Sequence, residues 1–246
     1  VYALLIAAFI PERTVAGWFN LQGLVMFALY LGGILGAMAV AAVLKLWRGK
    51  VRPTPLLMEL PPYRVPSLRN LALGLYERAA IFLKRVGGII LALTVLLWFL
   101  STYPAPPEGA TGPAIEYSLA GQIGRALEHV FAPLGFNWQI AVALVPGMAA
   151  REVVVGALGT VYALSASGDD VAAQLGSLIA QQWSLATALS LLVWFIYAPQ
   201  CISTLATIRR ETHSWKQVGI AAGYLFAMAY LASLVTYQAA VLLGAG

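Results

Sequence analysis

Charged residues are scarce in this sequence. Asp, Glu, Lys and Arg make up 10% of the 246 residues, whereas hydrophobic residues make up 61%. Soluble domains usually contain about 25% charged residues, and a compact domain of this length still needs a polar surface. The composition therefore excludes an ordinary soluble domain. Lipid must solvate much of the chain, so we predict an all-α, polytopic helical membrane protein.

Cysteine is almost absent as well, because Cys201 is the single one. One cysteine excludes an intrachain disulfide framework. The chain also has no CxxC, no HExxH and no complete phosphate-binding loop; we therefore do not expect it to be an enzyme. The two histidines, His129 and His213, fall at predicted membrane interfaces, where the simplest interpretation is a solvated surface.

The basic residues are concentrated in one part of the chain. Nine of the fifteen Lys and Arg residues lie between Lys45 and Arg85. Beside apolar segments, such a cluster is typical of cytoplasmic loops, so we do not expect nucleic-acid binding. Residues 101–117 and 165–182 are polar and contain no Lys or Arg. They are typical of the opposite, periplasmic side.

Apolar runs predict the membrane spans. Residues 21–46 form the first complete span, where Gly32 and Gly36 would let another helix approach closely, and residues 217–243 form the last. Residues 1–10 reach only about 15 Å of a roughly 30 Å hydrocarbon layer. We interpret them as the second half of a helix that starts upstream, and we expect the chain to be a fragment.

A proline-rich basic connector, residues 49–66, follows the first span. Ser67 is a predicted N-cap for a helix that is amphipathic as far as Arg85 and then apolar over residues 86–100. Residues 118–131 predict a second amphipathic helix. Such helices tend to lie in the membrane interface.

Residues 138–164 pose a topological problem, because one apolar segment separates two loops that both look periplasmic. One interpretation is a pair of half-helices that enter and return, broken at Pro146 and Gly147. Non-helical backbone is tolerated at membrane depth where it lines a cavity. The alternative is a kinked but complete span.

Two short segments contain the candidate functional residues. In residues 145–153, Arg151 and Glu152 are ionisable groups at membrane depth, which usually face a cavity, a partner or a transport path. Adjacent helical residues point about 100° apart, so each needs another partner. The pair either locks helix packing, or Glu152 lines a cation path.

In residues 197–204, Pro199 frees a backbone carbonyl about four residues earlier. Gln200 and Cys201 would then lie beside unpaired carbonyl oxygens, with the hydroxyls of Ser203 and Thr204 close by. A cysteine here is either a small packing residue or a ligand for a borderline-soft divalent metal. These residues alone predict a transporter or channel and do not identify its substrate.

Several motifs together resemble those of the FeoB ferrous-iron transporter family. Residues 58–66 (MELPPYRVP) and 77–87 (ERAAIFLKRVG) resemble that family's linker and the helix after it. Residues 150–155 (AREVVV) resemble the core of its second gate segment. Residues 197–212 (YAPQCISTLATIRRET) and 214–216 (SWK) resemble its C-terminal signature. The resemblance covers nearly the whole chain.

The resemblance implies a multi-pass permease of the bacterial inner membrane that moves Fe²⁺ into the cytoplasm. It implies a C-terminal-type region over residues 1–66 and a second gate-type region over residues 67–246. The family's N-terminal GTPase domain, which uses GTP and Mg²⁺, and its first gate region would be partners outside this chain. Small accessory Feo proteins and further copies of the protein are also expected as partners.

On this resemblance, the candidate Fe²⁺ pathway residues are Cys201, Glu152 and Met148, and the gate breaks fall at Pro146, Gly147 and Pro199. The gate segments also resemble those of nucleoside transporters, so a nucleoside or small-solute carrier stays as an alternative function. A non-transporting membrane scaffold is a third.

Overall fold

The computed structural model describes residues 1–15, 19–48, 67–107, 114–148, 150–151, 153–165, 175–199 and 201–244. Helices form nearly all of the described structure. The described elements, in chain order, are α1 (Tyr2–Phe9), β1 (Thr14–Val15), β2 (Phe19–Asn20), α2 (Leu21–Arg48), α3 (Leu68–Thr102), α4 (Ala114–Tyr117), α5 (Leu119–Phe131), a 3-10 turn (Ala132–Leu134), α6 (Trp138–Gly147), α7 (Val153–Ser165), α8 (Leu175–Gln182), α9 (Leu185–Tyr197), α10 (Ile202–Thr212) and α11 (Trp215–Leu242).

Two of the described helices are long and apolar enough to cross a membrane. They cover Leu21–Leu46 within α2 and Trp215–Leu242 in α11, so the structure has a long helix at each of the predicted spans, 21–46 and 217–243. The side chains of α2 are largely exposed, among them Phe27, Leu35 and Met38. A contiguous exposed apolar surface of this size marks a membrane-facing or protein-facing surface, and lipid is the natural solvent for it.

The helix α3 begins as the sequence predicts. Ser67 is its N-cap, and the Ser67 hydroxyl accepts a hydrogen bond from the Asn70 N–H at 3.4 Å. The amphipathic and apolar parts of the prediction belong to one helix of 35 residues. The connector at residues 49–66 lies outside the described residues.

A short antiparallel hairpin interrupts the predicted all-helical fold. Its strands β1 and β2 pair Thr14 with Asn20 and Val15 with Phe19. Pro11 follows the end of α1, and the Leu21 N–H donates to the Arg13 carbonyl at 2.9 Å. The two paired strands therefore lie between α1 and α2, and hydropathy does not detect them.

The buried core is formed mainly by α6, α7 and α9. These are the shorter apolar helices, and α11 packs along α9. Ser190 and Ser233 join that pair reciprocally: the Ser190 hydroxyl donates to the Ser233 carbonyl at 3.2 Å, and the Ser233 hydroxyl donates to the Ser190 carbonyl at 3.0 Å. Both serines are fully buried, so small polar residues hold these two helices in close contact.

Aromatic rings fill the space around Trp194 on α9. Phe131 and Phe136 meet the Trp194 ring edge-on, with centroids 5.5 Å and 6.0 Å away. Phe226 on α11 lies 6.1 Å from it. Edge-to-face pairs of this kind stabilise packing beyond the area they bury.

The chain turns sharply between α5 and α6. The segments Leu119–Leu134 and Trp138–Gly147 form an angle of 99°, and Gly135 in between has φ of +78°. A Cβ at Gly135 would also collide with the Tyr237 ring, so glycine is required there. The bend is the geometry that an amphipathic interfacial α5 needs in order to lead into an inserted α6.

Residues 138–164 do not form one helix. The helix α6 ends at Gly147, and α7 begins at Val153. A Cβ at Gly147 would collide with the Val154 side chain, so the two helices approach closely beside the break. The structure has the broken helices that the sequence predicts; the side of the membrane to which α7 leads stays a prediction.

Candidate functional site

A second helix break lies between α9 and α10. Ala198 caps α9, and its N–H donates to the Trp194 carbonyl at 2.9 Å. Pro199 has no N–H, so it cannot bond to the Phe195 carbonyl four residues earlier, and the helix cannot continue. The helix α10 then begins at Ile202, with Cys201 as its N-cap.

The two helix breaks meet in space, and we call this region the crossing. It consists of Met148, Ala150 and Arg151 from the first break and of Ala198, Pro199 and Cys201 from the second. Ala150 and Cys201 form an isolated antiparallel β-bridge. This brings two segments about 50 residues apart in sequence into direct backbone contact.

Arg151 ties the crossing together. Its Nη2 donates to the Phe195 carbonyl at 2.6 Å, which is the carbonyl that Pro199 leaves without a helical donor. The guanidinium also lies over the Tyr2 ring, 5.7 Å from the centroid. The expectation that the freed carbonyl stays unpaired is therefore wrong, because a charged donor from the other break takes its place.

A small cavity lies beside the crossing. Its volume is about 110 Å³, and Met148, Ala198 and Pro199 line it together with the aromatic Trp194 and Phe226. Met148 is 41% exposed. The structure therefore brings the predicted Met148 and Pro199 to one cavity.

The Cys201 thiol is exposed in the described structure. Ser203 and Thr204 follow it in the first turn of α10, where the Thr204 N–H donates to the Cys201 carbonyl at 3.0 Å. The two hydroxyls that the sequence predicts near the thiol therefore lie on the turn that begins beside it. Exposed sulfur can bind a borderline-soft metal ion more readily than sulfur packed in a core.

The helix ends at the crossing also carry charge. Both α6 and α9 end there, and the C-terminal end of a helix bears a partial negative charge that favours cations. Broken membrane helices use such ends to hold ions near the middle of the bilayer. The positive charge of Arg151 opposes this, and so do the N-terminal ends of α7 and α10, which begin at the same two breaks and bear a partial positive charge.

The remaining predicted site residues have different outcomes. Pro146 and Gly147 lie in the last turn of α6, so they finish that helix and the break follows them. Glu152 and Gln200 lie outside the described residues. In the described part of the chain, no group of three or more His, Cys, Asp or Glu residues is close enough to hold a metal ion.

Sequence reasoning missed the contact that positions α9 against α2. The Tyr197 hydroxyl donates to the Gly32 carbonyl at 3.0 Å, and a Cβ at Gly36 would collide with the Tyr197 ring. Gly32 and Gly36 do let another residue approach α2 closely, and that residue is Tyr197, beside the second break. The spacing of the two glycines predicts a close contact but does not identify the residue that makes it.

The fold and the crossing define a helical membrane protein with broken gate helices. Comparison with known families agrees with this class. Residues 83–215 match the family described as Gate, nucleoside recognition, and residues 26–78 match the family described as ferrous iron transport protein B C terminus. No solved structure matches the chain.

Curated relatives cover the chain almost completely. It is 35% identical to "Fe(2+) transporter FeoB" of Leptospira interrogans over 97% of this chain and 36% of that protein. It is 34% identical to the Staphylococcus aureus "Fe(2+) transporter FeoB" over 97% and 33%. A Porphyromonas gingivalis protein named "Fe(2+) transport protein A/Fe(2+) transporter FeoB fusion protein" is 33% identical over 98% and 32%.

The chain thus spans about one third of the length of the relatives it matches. It belongs to the FeoB family, where it corresponds to the C-terminal membrane region with its gate segment.

Proposed function

We propose that this chain forms part of the path by which Fe²⁺ crosses the bacterial inner membrane into the cytoplasm, as the permease part of a longer GTPase-coupled transporter. The observation that carries the proposal is the crossing, where two broken helices meet beside an exposed thiol. The relatives named as Fe²⁺ transporters support iron as the substrate.

The chemistry of the candidate residues supports a transition metal over Mg²⁺ or Ca²⁺. The sulfur atoms of Cys201 and Met148 are soft ligands, whereas Mg²⁺ and Ca²⁺ prefer oxygen alone. Glu152 would lower the cost of a divalent cation at membrane depth. In this proposal Cys201 binds the ion directly, Met148 offers a second sulfur, and Pro146, Gly147 and Pro199 create the breaks through which it passes.

The parts of the relatives that this chain does not cover suggest partners for it. An N-terminal GTPase domain would bind GTP and Mg²⁺, and a first gate region would face the exposed side of the crossing. The fusion named for Porphyromonas gingivalis joins an Fe²⁺ transport protein A to its FeoB part, which supports a small accessory protein as partner. Assembly into a homo-oligomer, and the division at residues 1–66 and 67–246, belong to the same proposal.

A nucleoside or small-solute carrier is the second candidate, because the gate family is described by nucleoside recognition. The cavity beside the crossing argues against it. Its described lining residues are apolar, whereas a nucleoside needs several placed hydrogen-bonding groups for its sugar and base.

Uptake by the full-length protein in proteoliposomes tests the proposal. We expect radiolabelled Fe²⁺ to accumulate when GTP is present on the GTPase side, and excess unlabelled uridine to leave that uptake unchanged. Accumulation of labelled uridine without any Fe²⁺ flux would replace the proposal with the carrier. Absence of both fluxes in correctly inserted protein would favour the scaffold.

A further inference from the structure

The hydrogen bond between Arg151 and the Phe195 carbonyl pairs a carbonyl that has lost its helical donor with a charged side chain that needs an acceptor. Pro199 removes the helical donor for Phe195, and the Arg151 Nη2 supplies a replacement at 2.6 Å. Hydrogen bonds from a charged donor are roughly twice as strong as neutral ones. The carbonyl thus gains a stronger partner than the one the helix would have given it.

This contact lies beside the backbone bridge between Ala150 and Cys201. Arg151 directly follows Ala150 in sequence, so a single short segment of the first break makes both links to the second. One link is backbone to backbone, and the other is side chain to backbone. Separating the two breaks requires both to open together.

The surroundings fix the Arg151 side chain in this position. Its guanidinium packs over the Tyr2 ring at 5.7 Å, and Phe195, whose carbonyl it contacts, is fully buried. These contacts stabilise the charge at the membrane depth that the sequence predicts for Arg151, where an ionisable group would otherwise be costly. The side chain of Arg151 is only partly exposed.

We propose that Arg151 is a positioning residue that latches the two helix breaks together in a closed crossing. While the latch holds, the Phe195 carbonyl is occupied by a tethered cation and the segment carrying Cys201 is fixed against Ala150. Release of Arg151 frees that carbonyl and lets the breaks separate. The role of this latch as a gate for Fe²⁺ rests on the proposed transport function. The latch itself is tested without iron.

Hydrogen exchange of the full-length protein in nanodiscs, read by mass spectrometry, measures opening of the crossing. Amides in peptides that contain Ala150 and Cys201 exchange at a rate proportional to local opening. We expect Arg151→Met to speed their exchange about tenfold, since it removes a hydrogen bond from a charged donor. Arg151→Lys keeps a charged donor and should show a smaller increase.

The control is Arg125→Met, which removes an exposed arginine on α5 that pairs with Glu116 at 4.0 Å. It should leave exchange at the crossing unchanged. If Arg151→Met also leaves that exchange unchanged, the latch is overturned. If Arg125→Met accelerates it equally, the effect is general loosening and the latch is likewise overturned.

Pro199→Ala tests the same link from the opposite side and stands in for Arg151→Met if that variant does not fold. The new N–H competes with Arg151 for the Phe195 carbonyl, so exchange should rise as in Arg151→Met. The two substitutions combined should raise exchange by less than the sum of their separate effects, because both disrupt the hydrogen bond between Arg151 and the Phe195 carbonyl. Fully additive effects would show that Arg151 and Pro199 act independently, which contradicts the proposal.

Disulfide formation checks the geometry directly. Residues paired in an antiparallel bridge have Cα atoms about 4.5–5.5 Å apart, within the range a disulfide spans. Mild oxidation of Ala150→Cys should link position 150 to the native Cys201, whereas Leu91→Cys on the exposed face of α3 should not be linked to it. Failure of Ala150→Cys to cross-link would overturn the closed crossing.

These readouts involve no iron. A wild-type protein that shows the latch but carries no Fe²⁺ would refute the proposed function and leave the latch intact. If the wild-type protein transports Fe²⁺ and Arg151→Met leaves hydrogen exchange at the crossing unchanged, the latch is refuted and the proposed function stands.

Discussion

At the scale of single residues, the proposed function assigns the choice of Fe²⁺ over harder divalent cations to sulfur ligands. Cys201 and Met148 come from different breaks, and each was identifiable from sequence as a soft ligand near a predicted break. The meeting of the two breaks was not, because the bridge between Ala150 and Cys201 joins segments that are distant in sequence. Local sequence identifies the chemistry of a side chain, and tertiary packing decides what it meets.

Replacing Met148 by Leu tests the second sulfur. The substitution nearly conserves volume, so the cavity should stay packed, while the thioether is lost. We expect Fe²⁺ uptake by the full-length protein to fall, but less than for a change at Cys201, because a thioether is a neutral and weaker ligand. Met38→Leu, on the exposed face of α2, is the matched control and should transport normally; equal uptake by both variants would remove Met148 from the pathway.

The Arg151 contact marks the limit of residue-level prediction. From sequence, Arg151 needed a partner, and Pro199 freed a carbonyl near Phe195. These were two separate observations 44 residues apart. Only the fold shows that the Arg151 side chain is the donor for the Phe195 carbonyl.

At the scale of helices, apolar periodicity and length predicted most boundaries. The N-cap at Ser67, the span beginning at Leu21 and the break after Gly147 all agree with the structure within a few residues. The strand pair Thr14–Val15 and Phe19–Asn20 and the bend at Gly135 were missed. The pairing depends on backbone hydrogen bonds and the bend on contacts such as that with Tyr237, and hydropathy encodes neither.

The packing of the Tyr197 ring against Gly36 of α2 gives a prediction at this scale. Gly36→Val places a side chain where the Tyr197 ring packs, and such overpacking typically costs about 1–3 kcal/mol. We expect a lower melting temperature for the protein in detergent. Gly23→Val on the same helix, where a Cβ would meet nothing within 4 Å, is the control; equal loss in both would mean that helix propensity, and not the tyrosine contact, is responsible.

The two hydrogen bonds that Ser190 and Ser233 form between α9 and α11 give a second prediction at the scale of helices. Ser190→Ala and Ser233→Ala each remove a buried interhelical hydrogen bond, which in membrane proteins averages about 0.6 kcal/mol. The two losses should be close to additive, because each hydroxyl donates to the other residue's backbone carbonyl, which alanine retains. Thr160→Ala removes a hydroxyl that bonds within its own helix and is the control; serine variants that unfold with the same free energy as the wild-type protein would contradict the contact.

At the scale of the whole molecule, the positive-inside pattern predicts which parts share a side of the membrane. Residues near 103 and 184 belong to the base-poor side, whereas residues near 213 follow the basic end of α10. If α6 and α7 enter and return, the first two regions must lie together. A complete span would place them on opposite sides.

Cysteine labelling in intact cells decides between these arrangements. With Cys201 replaced by Ala, we expect Tyr103→Cys and Ser184→Cys to react with a membrane-impermeant maleimide added outside, and His213→Cys to react only after the cells are opened. Labelling of Tyr103→Cys but not Ser184→Cys from outside would establish the complete span and reject the re-entrant arrangement.

The central claim is that Fe²⁺ passes the crossing at Cys201. Its most direct test is radiolabelled Fe²⁺ uptake by the full-length protein, comparing wild type, Cys201→Ser and Cys201→Ala at equal amounts of inserted protein. We expect Cys201→Ala to lose at least about tenfold in uptake, the scale on which loss of one supporting group weakens a metal site, and Cys201→Ser to retain more. Wild-type uptake by Cys201→Ala would contradict the claim and make the thiol a packing residue.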